Sequence, residues 1–407
     1  METMPLKVVS RAISAKELGL TSLLELFGNS QMCFIKDGSG LIGWGEALKL
    51  TASGPDRFNQ LEKLWRKAVS NANVTDALNN QGSGLIAFGS MAFSDLSGAE
   101  SVLVVPKLII GFAEESFFLT TVNISEDEAL KLITESESLD HIEFQPGQIS
   151  PEKFSANVNQ ALELINAAKL SKIVLARDLV AKVTNFNPNQ ALRKLASKYS
   201  TCYTYLVDGM FGASPELLVS VKDRMVSARV LAGTAGRGTD VEVDKAIGEA
   251  LTHSHKNLAE HKYAIDSLTA SMQEHCTLIK ASDKPFSLAL PNLWHLASDV
   301  NAELKENTTS LRLLAALHPS AAVAGTPRDV ALEMIQKIEQ VDRGRYAGPI
   351  GWVSADGDGV WAIALRGAQI SPNQITAFAG CGIVSESDAE SELAETNLKF
   401  KAILENL

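Results

Sequence analysis

Residues 361–399 read WAIALRGAQISPNQITAFAGCGIVSESDAESELAETNLK. The apolar runs Val360 to Leu365 and Gln374 to Ala379 read as strands, and Gly348 to Val353 precedes them as another. Strand follows strand here, and along the chain strands are followed by strands as often as by helices. That order favours an antiparallel α+β architecture over a βαβ alternation. Arg366 closes the first run. Ala379-Gly380-Cys381-Gly382-Ile383 reads as a glycine-rich turn, and the segment after it as a helix. Spacings of three and four put Glu392, Glu395 and Lys399 on one face of that helix. An arginine, exposed backbone amides, two carboxylates and an amine suit an anionic ligand held partly through a metal ion. No core requires that set.

Working back from there, Arg224 to Ala232, Leu217 to Val221, Cys202 to Val207 and Lys172 to Ala176 read as strands. One long helix is expected over roughly Glu242 to Gln273, and two more over Thr309 to His318 and Asp329 to Gln340. Ser150 is a natural N-cap and Pro151 suits the first helical position, so a helix opens there and runs to about Leu170. Before residue 145 the chain reads as strands with short helices: Met32 to Lys36, Val102 to Val105, Leu108 to Phe112 and Phe117 to Val122. No repeat, low-complexity segment or linker divides the chain.

The 407 residues carry a net charge of −11, which argues against a nucleic-acid partner. An anionic small molecule remains compatible, because local charge sets a site. The four cysteines are far apart and show no metal spacing, so they read as reduced thiols of a cytoplasmic protein. The N-terminus has no signal-peptide pattern. The most apolar stretch, Val102 to Val122, is broken by Pro106, Lys107, Glu114 and Glu115, so no membrane span is expected.

Three motifs mislead. Gly38-Ser39-Gly40-Leu41-Ile42-Gly43 matches a dinucleotide fingerprint, but Gly54-Pro55 stops any helix early and a β-hairpin turn fits better. His253, His255 and His261 lie in one expected helix at spacings poor for zinc, so solvated or capping roles are preferred. Gly233-Thr234-Ala235-Gly236-Arg237-Gly238 lacks the Gly-Lys-[Ser/Thr] of a phosphate loop.

Other residues can carry chemistry. Alternation in the strand from Lys172 to Arg177 puts Lys172, Val174 and Ala176 on one face. Lys172 is either an edge-strand charge or a general base. Glu216 sits where a loop enters a strand; it either tops an exposed end or acts as a protonated acid. Leu231-Ala232-Gly233-Thr234 reads as a strand ending in a small-residue turn, where Thr234 could bond a ligand oxygen. Glu260 either pairs with Lys256 or supplies a carboxylate to magnesium, with Glu395 as the second and Glu392 one turn back. His295 is a lone histidine in an apolar segment, a core residue unless a site surrounds it.

Taken in order, these motifs resemble the chorismate-utilising enzymes, the family of isochorismate, anthranilate and aminodeoxychorismate synthases. The resemblance runs over about residues 150 to 405. It rests on Lys172 to Arg177, Gly212 to Leu218, Leu231 to Thr234, Glu260-His261, Leu293 to Leu296, Leu317 to Pro327, Asp342 to Trp352 and Ala379 to Lys399. It implies one large α+β domain of extended, mainly antiparallel sheets with helices outside. Residues 1–145 would be a variable part of that fold and 146–407 the catalytic region.

The implied substrate is the dicarboxylate chorismate. Ala232, Gly233, Thr234, Arg366, Gly380, Gly382 and Lys399 would bind it; Glu260, Glu395 and Glu392 would hold Mg2+; His295 would sit beside the ring. Members that add ammonia have glutamine where this chain has Lys172, and members that add water have lysine. The resemblance therefore implies Mg2+-dependent, reversible conversion of chorismate to isochorismate, feeding menaquinone or siderophore synthesis. No glutaminase subunit is expected, and a monomer is. The alternative is a salicylate synthase, which goes on to eliminate pyruvate. A dead chorismate-binding scaffold is disfavoured, because every expected polar residue is present. With ordinary pKa values of ~10.4 and ~4.3, a basic Lys172 and an acidic Glu216 both work against their resting states at neutral pH.

Overall fold

The computed structural model describes residues 5–78, 80–134, 142–184, 186–289 and 293–407, without the side chains of Thr234, Lys256, Glu260 and Leu293. Residues 1–4 of the N-terminus and the Lys256–Glu260 pair therefore lie outside the described set. Among the described residues the strands form two sheets, of thirteen and ten strands. Pairing is antiparallel apart from Lys7–Ala12 against Asn73–Asp76. The expected α+β class is what the chain adopts. No described helix is long and apolar enough to cross a membrane.

Strands from the first 145 residues extend both sheets. Met32–Lys36 pairs with Tyr203–Val207 in one, and Ile86–Ser90 pairs with Pro349–Ser354 in the other. The glycines at 38–43 lie in a hairpin, as their sequence context indicated: Met32–Lys36 turns through Asp37 and Gly38 into Ser39–Trp44.

The helix Pro151–Asn166 begins where expected. Ser150 accepts a hydrogen bond from the Lys153 amide at 3.2 Å, and Phe154, Val158, Ala161 and Ile165 form its buried stripe. It packs on the strand Lys172–Lys182, hereafter the lysine strand, as does the helix Arg328–Glu339.

The single long helix expected over 242–273 is two helices, Val241–His253 and His255–Met272. Ser254 stands between them in an extended conformation, and its hydroxyl accepts from the Asn257 amide. A hydroxyl that caps a new helix competes with continuing the old one. His253 and His255 are exposed on either side of this break. His261 is neither solvated nor a cap: it is buried, with Nδ1 3.0 Å from the Ala232 carbonyl and Nε2 2.8 Å from Ser298 Oγ.

Two sequence expectations about turns also fail. Residues 379–383 belong to a strand, Gln374–Ile383, hereafter the glycine strand, which pairs with the lysine strand from Ile173↔Ile383 to Lys182↔Gln374. The strand Met225–Gly236 likewise runs through Leu231–Thr234, with a register shift between Leu231 and Thr234 and Gly233 at φ 82°. That is a bulge, which re-aims side chains without ending the strand.

On its other side the lysine strand has little strand pairing. Gly325–Thr326 covers Lys172 and Ile173, and Gln145–Pro146 covers Leu179 and Val180. Between them a buried ion pair takes over part of a neighbouring strand's role. Glu339 Oε1 accepts from the Ala176 amide at 2.8 Å, and Arg343 Nη2 donates to the Val174 carbonyl at 2.7 Å. Arg343 and Glu339 bond each other at 2.6 and 2.9 Å. Arg343→Met would strand a buried carboxylate and is expected to cost about 3–5 kcal/mol in denaturant unfolding. A loss below ~1 kcal/mol would show that the pair does not brace the strand.

Candidate active site

Alternation along the lysine strand sends Lys172 and Val174 to one face, where they line a cavity of about 440 Å³. That volume suits a small molecule. The opposing glycine strand supplies Gly380 and Gly382 to the same wall. Both glycines make room. A Cβ on Gly382 would lie 2.9 Å from Lys172 Cε, and one on Gly380 would lie 3.2 Å from the Tyr346 hydroxyl.

The helix Ala389–Leu404 closes this side. Asp388 caps it by accepting from the Ser391 amide at 2.9 Å, and Thr396, Phe400 and Ile403 bury one flank. Glu392, Glu395 and Lys399 line the cavity from the other flank, as their spacing indicated. Lys399 Nζ donates to the Gly380 carbonyl at 2.8 Å and pairs with Glu395 at 2.5 Å. Glu392 accepts from Ser387 Oγ at 2.6 Å.

Arg366 enters from the same end. Its backbone sits at φ 52°, an uncommon conformation for a residue with a side chain. Two hydrogen bonds hold the chain there: Tyr205 Oη donates to the Leu365 carbonyl at 2.9 Å, and the Ala213 amide to the Arg366 carbonyl at 3.2 Å. Burial draws the Arg366 pKa down, against the pull of Tyr346, Cys202, Glu395 and Glu216. Tyr346 is buried in the same wall, and its hydroxyl is pushed up to about 12, chiefly by burial. Neither Tyr346 nor Arg343, which also lines the cavity, was singled out in the sequence. Only their places in the Asp342 to Trp352 motif marked them.

Glu216 follows Ser214-Pro215, and its amide donates to Ser214 Oγ at 3.2 Å. Its carboxyl faces into the cavity and is pushed up to about 7. Burial is the cause; Lys172, Lys399 and Arg366 pull the other way and lose. The acid thus keeps its proton to a much higher pH than a free glutamate does.

Across the cavity stands His295, on the strand Leu293–Leu304 opposite Thr234. Burial first, then Lys399 and Arg366, lower its pKa to about 4, so it is a neutral imidazole at pH 7. Ala232 and Gly233 line the cavity from the bulge beside it. The bulge rests on His261, whose Nδ1 meets the Ala232 carbonyl. Thr234 lies in the strand Met225–Gly236 and Glu260 in the helix His255–Met272, but their side chains fall outside the described set.

No group of three His, Cys, Asp or Glu able to hold a metal ion is found among the described residues. Glu392 and Glu395 nevertheless fit one end of a magnesium site: two carboxylates, one turn apart, facing a cavity whose other groups include cations for an anionic ligand. Eleven of the thirteen residues singled out in the sequence therefore meet at one cavity, and the other two are the ones whose side chains are not described.

Comparison with known proteins agrees with this geometry. The family model for chorismate binding enzymes matches residues 6–407. The isochorismate synthase DhbC of Bacillus subtilis is 37% identical over 267 residues, 62% of this chain and 67% of that protein. The salicylate biosynthesis isochorismate synthase of Pseudomonas aeruginosa is 29% identical over 389 residues, 89% of this chain and 82% of that protein. The crystal structure of DhbC from Bacillus anthracis superposes with a TM-score of 0.75 at 32% identity, over 93% of this chain and 96% of that one. The chain belongs to the family of chorismate binding enzymes.

Proposed function

We propose that this protein is an isochorismate synthase, converting chorismate reversibly to isochorismate with Mg2+. The observation that carries the reading is the placement of Lys172 and Glu216 in one cavity with Arg366 and Lys399. A base, an acid and two anion-holding cations are what the exchange of one hydroxyl position for another requires.

In this reading Arg366, Lys399 and the backbone of Gly380 and Gly382 hold the substrate's carboxylates, with Ala232, Gly233 and Thr234 completing the wall. Glu260, Glu392 and Glu395 would hold Mg2+, which supplies charge neutralisation for a bound carboxylate. Lys172, in its neutral form, takes a proton from the water that bonds to C2. The ring double bonds shift. The C4–O bond breaks, and Glu216 gives that oxygen its proton, so it leaves as water. Neutral His295 offers the ring edge one hydrogen bond without adding charge. One water enters and one leaves, so the net change is an isomerisation. The residues then hold the protonation states that the reverse reaction needs, which makes reversal easy.

The test is purified protein with chorismate and Mg2+, with products resolved by chromatography. Isochorismate is expected, lost with EDTA and restored by Mg2+. Salicylate and pyruvate in its place would assign the chain to the pyruvate-eliminating enzymes. In the same assay Lys172→Gln should lose about 10²–10⁴-fold in kcat and still bind chorismate; normal turnover would remove Lys172 as the base.

The pH dependence has a definite sign. Glu216 must carry its proton, and its raised pKa keeps that proton below about 7 and releases it above. The carboxyl should therefore release its proton near pH 7 in the native protein, seen as proton release on base titration that Glu216→Gln lacks. Equal release by both proteins around pH 7 would show that the Glu216 carboxyl is not held up by burial.

Gly382→Ala tests the room around the lysine. The backbone there accepts alanine, but the added methyl would stand 2.9 Å from Lys172 Cε, so the end of the lysine must move. Thermal stability should hold while activity drops by about 10²-fold, the scale of an ångström misplacement. Full activity would mean that the lysine's path is not constrained.

A further inference from the structure

A second chamber, of about 770 Å³, lies against the first cavity. Lys172 and Glu216 line both spaces, as do Ala232, Ala322 and Glu386. The acid and the base thus stand where the two spaces adjoin. The sharing is selective: Arg366, Lys399, His295, Glu392 and Glu395 line the cavity and not the chamber. The two spaces share the proton-transfer pair together with Leu231, Ala232, Ala322, Val384 and Glu386, but not Arg366, Lys399 or the metal-holding Glu392 and Glu395.

The chamber is walled mainly by apolar groups, which give a dicarboxylate little hold, and its rim is exposed to solvent. Its walls include Leu217, Val230, Leu268 and Leu317. Arg229 lines it, but its guanidinium is engaged by Asp299 at 2.6 Å. Serine hydroxyls at 171, 267 and 271 punctuate the walls. Ser320 Oγ, also on the wall, is buried with no hydrogen-bond partner, and a turn about χ1 would present it to water. Ala168, Lys169, Ser267 and Arg328 are exposed at the rim.

We propose that this chamber is the water-exchange port of the acid–base pair, open while substrate fills the catalytic cavity. The inference rests on the reaction assigned above. That reaction consumes one water at C2 and forms another at C4. A chamber of this size holds many waters at ~30 Å³ each, and their diffusion is fast beside turnovers of ~1–10³ s⁻¹. Water leaving C4 therefore mixes with solvent before isochorismate dissociates. In the reverse step a solvent water bonds to C4, Glu216 takes its proton, and Lys172 protonates the departing C2 oxygen. Solvent oxygen thus enters chorismate without release of the carbon skeleton.

The experiment is isotope exchange at chemical equilibrium, with Mg2+, in H2¹⁸O. Entry of ¹⁸O into the C4 hydroxyl of chorismate is measured by mass spectrometry. Carbon exchange between ¹³C-chorismate and isochorismate is followed in parallel. For the native enzyme the oxygen rate should exceed the carbon rate. Ser267→Trp and Ser271→Trp, one turn apart on the chamber's helical wall and outside the catalytic cavity's lining, should each bring that ratio to one or below with KM within twofold. A native ratio of one or less overturns the proposal. So does a ratio unchanged in both folded variants, or a fall in kcat/KM with the ratio intact, which would make the chamber the substrate's route. No carbon exchange at all would instead refute the assigned reaction itself.

Discussion

The antiparallel pairing of the lysine and glycine strands is the constraint on which the rest depends. Ten register pairs, from Ile173↔Ile383 to Lys182↔Gln374, set Val174 against Gly382 and Ala176 against Gly380. Side-chain period then decides everything on that face. A slip of one residue would turn Lys172 away and put Ile383 or Cys381 where the glycines leave room. The Arg343–Glu339 pair acts on the same register from the open side, through the Val174 carbonyl and the Ala176 amide. The glycine strand in turn carries the carbonyl that anchors Lys399, so the final helix is registered to the same pairing.

Charge is arranged against the average of the molecule. The chain carries a net −11, yet Lys172, Arg366 and Lys399 converge on one cavity. Those three cations would ordinarily hold a carboxyl well below neutrality. Glu216 instead rises to about 7, because taking its charge out of water costs more than their attraction returns. Burial, with two of those cations, Lys399 and Arg366, now acting in concert, keeps His295 neutral. Burial thus readies an acid and silences a base, and among the described residues no carboxylate contributes to raising Glu216.

Much of this was legible in the sequence where local rules and tertiary structure agree. Short apolar runs bounded by glycine, proline or charge became strands, and Ser150-Pro151 became a capped helix start. The spacing of Glu392, Glu395 and Lys399 placed them correctly, because a helix face is a local property. The failures share a different cause. Gly380 and Gly382 looked like turn residues, but they are glycines because of what lies across the sheet. Gly233 marks a bulge and not an end, which depends on the pairing of Leu293–Leu304. Ser254 split a helix that composition alone would have left continuous. His261 and Tyr346 gain their roles from partners distant in sequence, and Arg343, though paired with Glu339 four residues back, braces the lysine strand 169 residues away; no spacing rule reveals those contacts.

The register that builds the site joins residues more than two hundred positions apart. Contacts of that separation form late, since a long stretch of chain must be ordered before they return any energy. Folding intermediates of this protein would then hold formed hairpins and helices around an absent site. Catalytic competence would appear in a refolding time course as the last step, lagging behind the recovery of secondary structure, and the exposed edges of both unpaired strands would be where such intermediates aggregate.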